Sequence, residues 1–224
     1  MLISVLLAHI HLRRTGCDEF FDESDGNTLP PEWFDLYNPY NLIRTRRPEV
    51  VVEFGAEFST AVMARALAEN QRGMLYSFEK DKSWTGVAQS YPREEDTEFC
   101  KIIFDKEFDA PLLKDCFHPE IHNVRANLLY IDDEGHGQPP DQRLLPCCDV
   151  PVMEAITPDD FMIVVDGQAH TVNLLKKEIR RKYRVVENTL HHYTTFELIK
   201  VHEPLGSPRP LSSGRMDVSS RCTS

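Results

Sequence analysis

From Pro48 onward the chain alternates short runs of branched apolar residues with stretches whose apolar positions recur every three or four residues. That is the pattern of strands alternating with helices, and it builds a mainly parallel sheet covered on both faces. The clearest run is Val50-Val51-Val52-Glu53-Phe54, which stops at Gly55. Continuous apolarity over so few residues predicts a buried central strand. Ser59 or Thr60 can cap the helix that follows, to about Glu69, with Val62, Met63, Ala66 and Leu67 on one face. Further strands are predicted over 74–78, 101–104, 127–131 and 161–165. A helix over 171–182 presents Val172, Leu175 and Ile179 together, and two closing strands follow over 183–187 and 194–201.

The flanking segments read differently. Residues 1–8 are apolar but lack a basic stretch ahead of them, so they predict an amphipathic helix packed on the domain rather than a leader peptide. No run approaches the roughly 20 apolar residues that a membrane span requires. Residues 18–27 are acidic and turn-rich, as a loop would be. A proline-initiated helix start falls at 29–34, continued over 37–46, with Trp33, Phe34, Tyr37 and Tyr40 as core anchors or, alternatively, a substrate lid. The proline-rich stretch 137–151 reads as a loop, and the Ser- and Pro-rich stretch 203–224 as a disordered tail. The expected division is an N-terminal helical and loop extension (1–47), one α/β domain (48–202) and the tail (203–224).

A chain of 224 residues can bury one sizeable core. Its net charge of -11 argues against nucleic acid as a partner, because such binding relies on basic surface. The two dense basic groups, Arg44 to Arg47 and Lys176 to Lys182, read as solvated helix faces and ends. The six cysteines show no metal or redox spacing and read as free thiols, which points to a reducing, cytoplasmic setting.

Candidate chemistry collects at strand ends. Glu53, Glu79, Asp132 and Asp166 each close a separate apolar run. In open parallel sheets ligands bind beyond the carboxyl ends of the strands, so four acids there form one rim. Gly55 permits a tight turn and a close backbone approach to a ligand. The dinucleotide fingerprint would need glycines at 57 and 60 as well, but Glu57 and Thr60 stand there. Glu57 would repel a pyrophosphate, whereas a cationic ligand suits an acidic rim.

The stretch from Val50 to Thr60, followed by Leu75-Tyr76-Ser77-Phe78-Glu79, resembles the first two motifs of class I S-adenosylmethionine-dependent methyltransferases. The likeness continues through Leu128–Asp132 and Phe161–Gly167, and covers about residues 48–201. It implies a Rossmann-like three-layer α/β sandwich with a seven-stranded, mostly parallel sheet and an antiparallel last strand. It also implies S-adenosylmethionine as cofactor, with Glu53 and Gly55 at its methionine end and Ala56 and Ser59 of the same motif alongside. Glu79 would accept the ribose hydroxyls, and Asp132 would lie near the transferring methyl. The implied reaction is O-methylation of a small-molecule or sugar-like acceptor, with Asp132 at the reacting centre and His136 and His170 as candidate bases.

Two departures bear on this. Relatives carry a second glycine where Glu57 stands. Some O-methyltransferases of this fold hold a divalent metal at positions that Asp132, Asp133 and Asp166 approximate, but Gly167 replaces the asparagine that often completes the set. A metal is therefore not expected. The competing readings are a non-catalytic binding protein of the same fold and a nucleotide-cofactor oxidoreductase.

Overall fold

The structure, a computed structural model, describes residues 2–18, 33–79, 81–104, 124–132, 150–188 and 192–199. Asp133, His136, most of 137–151 and the stretch 203–224 lie outside the described residues. Two helices, α1 (Leu2–Thr15) and α2 (Trp33–Arg46), precede the first strand, β1 (Val50–Phe54). Then come α3 (Phe58–Asn70), β2 (Met74–Glu79), α4 (Lys82–Ala88), a 3-10 turn at Glu94–Phe99 and β3 (Cys100–Phe104). The second half holds β4 (Leu128–Ile131), α5 (Val150–Ile156), β5 (Met162–Asp166), α6 (Ala169–Glu178), β6 (Tyr183–Asn188) and β7 (Tyr193–Leu198).

The seven strands form one sheet in the order β3-β2-β1-β4-β5-β7-β6. All pairings among β1 to β5 are parallel, and β7 runs antiparallel to both β5 and β6. This is the Rossmann-like methyltransferase fold that the motifs imply. The apolar side chains of each strand alternate between two cores, as a period of two requires. Val51, Leu75, Leu128, Met162 and Val164 join Leu36, Ile43, Met63 and Leu67 of α2 and α3 on one face. Val52, Phe54, Phe78, Leu129, Ile163 and Val165 meet Met153 of α5 and Val172 and Leu175 of α6 on the other.

That alternation positions the polar groups. Glu53 pairs in register with Ser77 and Tyr130, and Tyr130 with Val164. Side chains two apart share a face, so Glu53, Glu79, Asp132 and Asp166 all lie on the α2/α3 side of the sheet. The connections at both ends of α3 need glycine. Gly55 turns the chain with φ of 91°. At Gly73, φ is 95° and a Cβ would fall 2.5 Å from the Pro48 carbonyl oxygen.

Several expectations are corrected. The cap of α3 is Glu57, not Ser59 or Thr60, and the helix begins at Phe58 because both hydroxyls turn inward to Glu53. The last major helix is α6, shorter at its end than 171–182. The Glu154 carboxylate accepts the backbone N–H groups of Arg180 (2.9 Å) and Arg181 (3.2 Å), and Ile179 is already extended. β7 starts at Tyr193 and closes at Leu198. α4, α5 and the 3-10 turn are additions to the expected pattern. The basic run at the end of α2 is spent on ion pairs and hydrogen bonds, Arg44 with Glu69 and Asn70 and Arg46 with Glu197. No described helix is long and apolar enough to cross a membrane.

Candidate functional site

The β1–α3 turn is built around a buried carboxylate. Glu53 has no solvent exposure, and its two oxygens accept hydrogen bonds from Ser59 Oγ and Thr60 Oγ1, both at 2.6 Å. Thr60 Oγ1 also accepts the Glu57 N–H at 3.1 Å, so one hydroxyl joins the strand's acid to the helix cap. Burial raises the Glu53 carboxyl to about 7, opposed by the hydroxyls of Ser59, Ser77 and Thr60. Glu53 therefore supports the turn from beneath, with its oxygens satisfied by α3 and β2.

The turn is clamped a second time from the next strand. Glu79 is 7% exposed, and it accepts the Ala56 N–H at 3.2 Å through one oxygen and the Asp81 N–H at 2.8 Å through the other. The Trp84 indole N–H of α4 donates to the Ala56 carbonyl at 2.7 Å. α4 is short, but Asp81 caps it by accepting the N–H groups of Ser83 (2.7 Å) and Trp84 (3.1 Å). Both backbone groups of Ala56 are thus held: Glu79 fixes the Gly55–Ala56 peptide through its N–H, and Trp84 fixes the next peptide, Ala56–Glu57, through its carbonyl. Glu57 adopts φ −142° and ψ −151°, an extended conformation open to any residue. No glycine is required at that position, so the departure from the family pattern carries no backbone strain.

The third part lies at the ends of β4 and β5. The Asp132 N–H donates to the Phe54 carbonyl at 2.9 Å, which sets Asp132 beside the Gly55 turn. Its carboxyl is pushed well above the usual range by burial, then by the charges of Asp166, Glu57 and Glu53. The Tyr130 phenol is buried and donates to Asp166 Oδ2 at 2.5 Å. Burial and the neighbouring acids raise the Tyr130 hydroxyl well above its ordinary value, so it stays protonated and acts as a donor.

A cavity of about 410 Å³ runs from this point along the sheet face beneath α2. Tyr130 and Asp166 line its inner end, Leu42, Met162 and Val164 its sides, and Arg46 and Arg184 its outer end. It meets the acidic rim beside the Gly55 turn rather than over it.

The predicted residues Glu53, Gly55, Ala56, Ser59, Glu79 and Asp132 are brought together around one turn. His170 is exposed on the first turn of α6, whose buried residues pack on the opposite face of the sheet. His136 lies outside the described residues, as does Asp133. Of the aromatic group at the start of α2, Tyr40 lies in the core and Trp33 and Tyr37 pack against it. Tyr40 is buried and donates to Glu69 Oε2 at 2.5 Å, and the rings of His9 and Trp33 stack 4.0 Å apart. Sequence reasoning missed Tyr130, Ser77 and Trp84. Tyr130 and Ser77 share strand parity with the acids, the one signal that could have found them. Trp84 had none, since its helix was not foreseen. Among the described residues no group of three His, Cys, Asp or Glu side chains is arranged to hold a metal ion.

No protein-family model matches the chain, and no curated protein matches it in sequence. Solved structures do match in fold. A putative caffeoyl-CoA O-methyltransferase from Staphylococcus aureus superposes with a TM-score of 0.57 at 11% identity, covering 88% of this chain and 99% of that one. The S-adenosylhomocysteine-bound methyltransferase PaMTH1 of Podospora anserina gives 0.55 at 10% identity, over 82% and 88% of the two chains. An O-methyltransferase from Bacillus cereus in complex with S-adenosylhomocysteine gives 0.51 at 12%, over 86% and 90%. At these identities the likeness is one of fold.

Proposed function

We propose that this chain is an S-adenosylmethionine-dependent methyltransferase acting on an oxygen of a small-molecule acceptor. The observation that carries the reading is the doubly clamped Gly55–Ala56 turn, flanked on one sheet face by Glu53, Glu79 and Asp132. A ligand bearing a sulfonium and an ammonium suits this acidic rim, whereas an anionic pyrophosphate does not. Each carboxylate oxygen carries two lone pairs, so Glu79 can accept a ribose diol while still bonded to the Ala56 and Asp81 N–H groups. The Gly55 backbone offers the close approach that the methionine end needs. S-adenosylmethionine supplies a methyl carbon that leaves sulfur with the electron pair remaining there, as the acceptor oxygen bonds to it and loses its proton.

The protein's part is to hold the two reactants in line and take up that proton. Asp132 lies at the reacting end of the rim. Its raised pKa makes its carboxylate a stronger base than an ordinary aspartate. His136 and His170 are the histidine candidates for the same task. The reading uses no metal. One Asp166 oxygen already accepts the Tyr130 hydroxyl, and Gly167 offers no side-chain oxygen where a further ligand would stand.

Thermal melting tests the assignment. S-adenosylhomocysteine at about 100 times its dissociation constant should add roughly 2.7 kcal/mol to the folded state. Glu79→Ala should remove most of that gain. A melting curve unmoved by S-adenosylmethionine or S-adenosylhomocysteine at millimolar concentration would count against it.

A further inference from the structure

The cavity beneath α2 has chemistry of its own. Its floor is the face of β4, β5, β7 and β6 that carries Tyr130, Val164 and Asp166. Met162 and Asp166 stand four residue steps apart along β5, a length of about 13 Å. Glu197 pairs in register with Met162 and so marks the outer end. There Arg46 and Arg184 both hold the one carboxylate of Glu197, Arg46 at 2.7 Å and the Arg184 Nε at 3.0 Å. The Arg184 hydrogen bond, ahead of the opposing effect of burial and the pull of Arg46, keeps Glu197 below its ordinary pKa. Two guanidiniums on one ionised carboxylate leave a net positive charge. Both arginines are partly exposed, at 43% and 69%, so an incoming anion can reach them. Between the two ends Leu42, Val164 and Val186 give the cavity an apolar stripe beside Thr45 and Thr195. The inner end is acidic and phenolic, and it adjoins Asp132.

We propose that this groove seats the methyl acceptor and selects an elongated molecule with a carboxylate at one end, an apolar middle and a hydroxyl at the other. The carboxylate meets Arg46 and Arg184. The hydroxyl lies about 13 Å further along β5, at the Tyr130–Asp166 end. The charges fit in that order only, because a carboxylate at the inner end would face Asp132 and Asp166. The inference rests on the methyl-transfer reading for the fate of the hydroxyl. The positive outer end and the apolar passage do not depend on it.

The test uses the full chain with ω-hydroxyalkanoic acids of graded length, set against the matching diols and ω-hydroxyalkyl ammonium compounds. Binding is followed by calorimetry at saturating S-adenosylhomocysteine and again without it. The carboxylates should bind with an optimum length, and the diols and cations should bind more weakly. Arg46→Gln combined with Arg184→Gln should cost the carboxylates about tenfold and leave the diols unchanged. Thr195 lies on the groove floor beside Val164, so Thr195→Trp fills the groove and should abolish binding of the whole series, and the melting temperature of each variant reports its fold. Equal binding of acids and diols, or acid affinity indifferent to the two arginines, overturns the groove proposal. If that happens while S-adenosylhomocysteine binds, the methyl-transfer reading stands alone. If the acids bind through the arginines and S-adenosylhomocysteine does not bind, the groove stands as a carboxylate site and the transfer reading falls.

Discussion

Glu53 is a residue whose structural and electrostatic roles pull in opposite directions. It closes β1 as an acid, yet burial raises its carboxyl from 4.5 to about 7. The folded state then holds the proton more tightly than the unfolded chain. The group's contribution to stability is full below 4.5 and is lost as the pH rises through about 7. Across that window the unfolding free energy of the native protein should fall by about 3 kcal/mol relative to Glu53→Gln, which cannot titrate. Denaturant titrations of both proteins at several pH values check this, and a constant difference would contradict it. Glu57 poses a different question. Its backbone is extended and its N–H is bonded to Thr60 Oγ1, so glycine relieves nothing there. Glu57→Gly should lower stability by about 0.5 kcal/mol through added chain freedom, without tightening S-adenosylhomocysteine. Tenfold tightening on calorimetric titration would mean that the side chain obstructs the seat.

At the scale of elements, β1, β2, β4 and β5 were legible because a buried parallel strand reads as a short apolar run, and their observed ends fall within a residue of the expected ones. Helix ends were less legible. The cap of α3 shifted because Ser59 and Thr60 serve Glu53, and α6 stops early because Glu154, distant in sequence, captures the next backbone N–H groups. These are tertiary contacts that no local pattern records. α4 went unseen because seven residues with a glycine inside give no clear helical period. It is nonetheless the element that reaches the site, through the Trp84 indole. Trp84→Phe leaves the fully buried Ala56 carbonyl without that donor and should cost about 1–3 kcal/mol. The same variant should weaken S-adenosylhomocysteine binding, because the turn is then held at Ala56 through its N–H alone. Unchanged affinity in a destabilised Trp84→Phe protein would separate the clamp from the seat.

Across the whole molecule, the sheet does what its register dictates. Parallel pairing aligns β1, β2, β4 and β5 so that side chains of equal parity share a face, and the acids at their ends converge on one edge. The convergence was legible from the four strand ends. The Tyr130–Asp166 bond followed from the same strand parity but was not drawn from it, and the groove beneath α2 was not legible, since it depends on how α2 packs on the β5-β7-β6 end of the sheet. Arg44 pairs with Glu69, while Arg46 and Arg184 share the single carboxylate of Glu197, so the groove carries a local positive charge on an acidic chain with net charge -11. The account as a whole turns on what occupies the Gly55 turn. A crystal structure grown with S-adenosylhomocysteine tests it most directly. The expected density places the ribose hydroxyls on Glu79, the methionine end along Gly55 and the sulfur toward Asp132. Density for the ligand anywhere else, or a Gly55 turn left empty at saturating ligand, would contradict it.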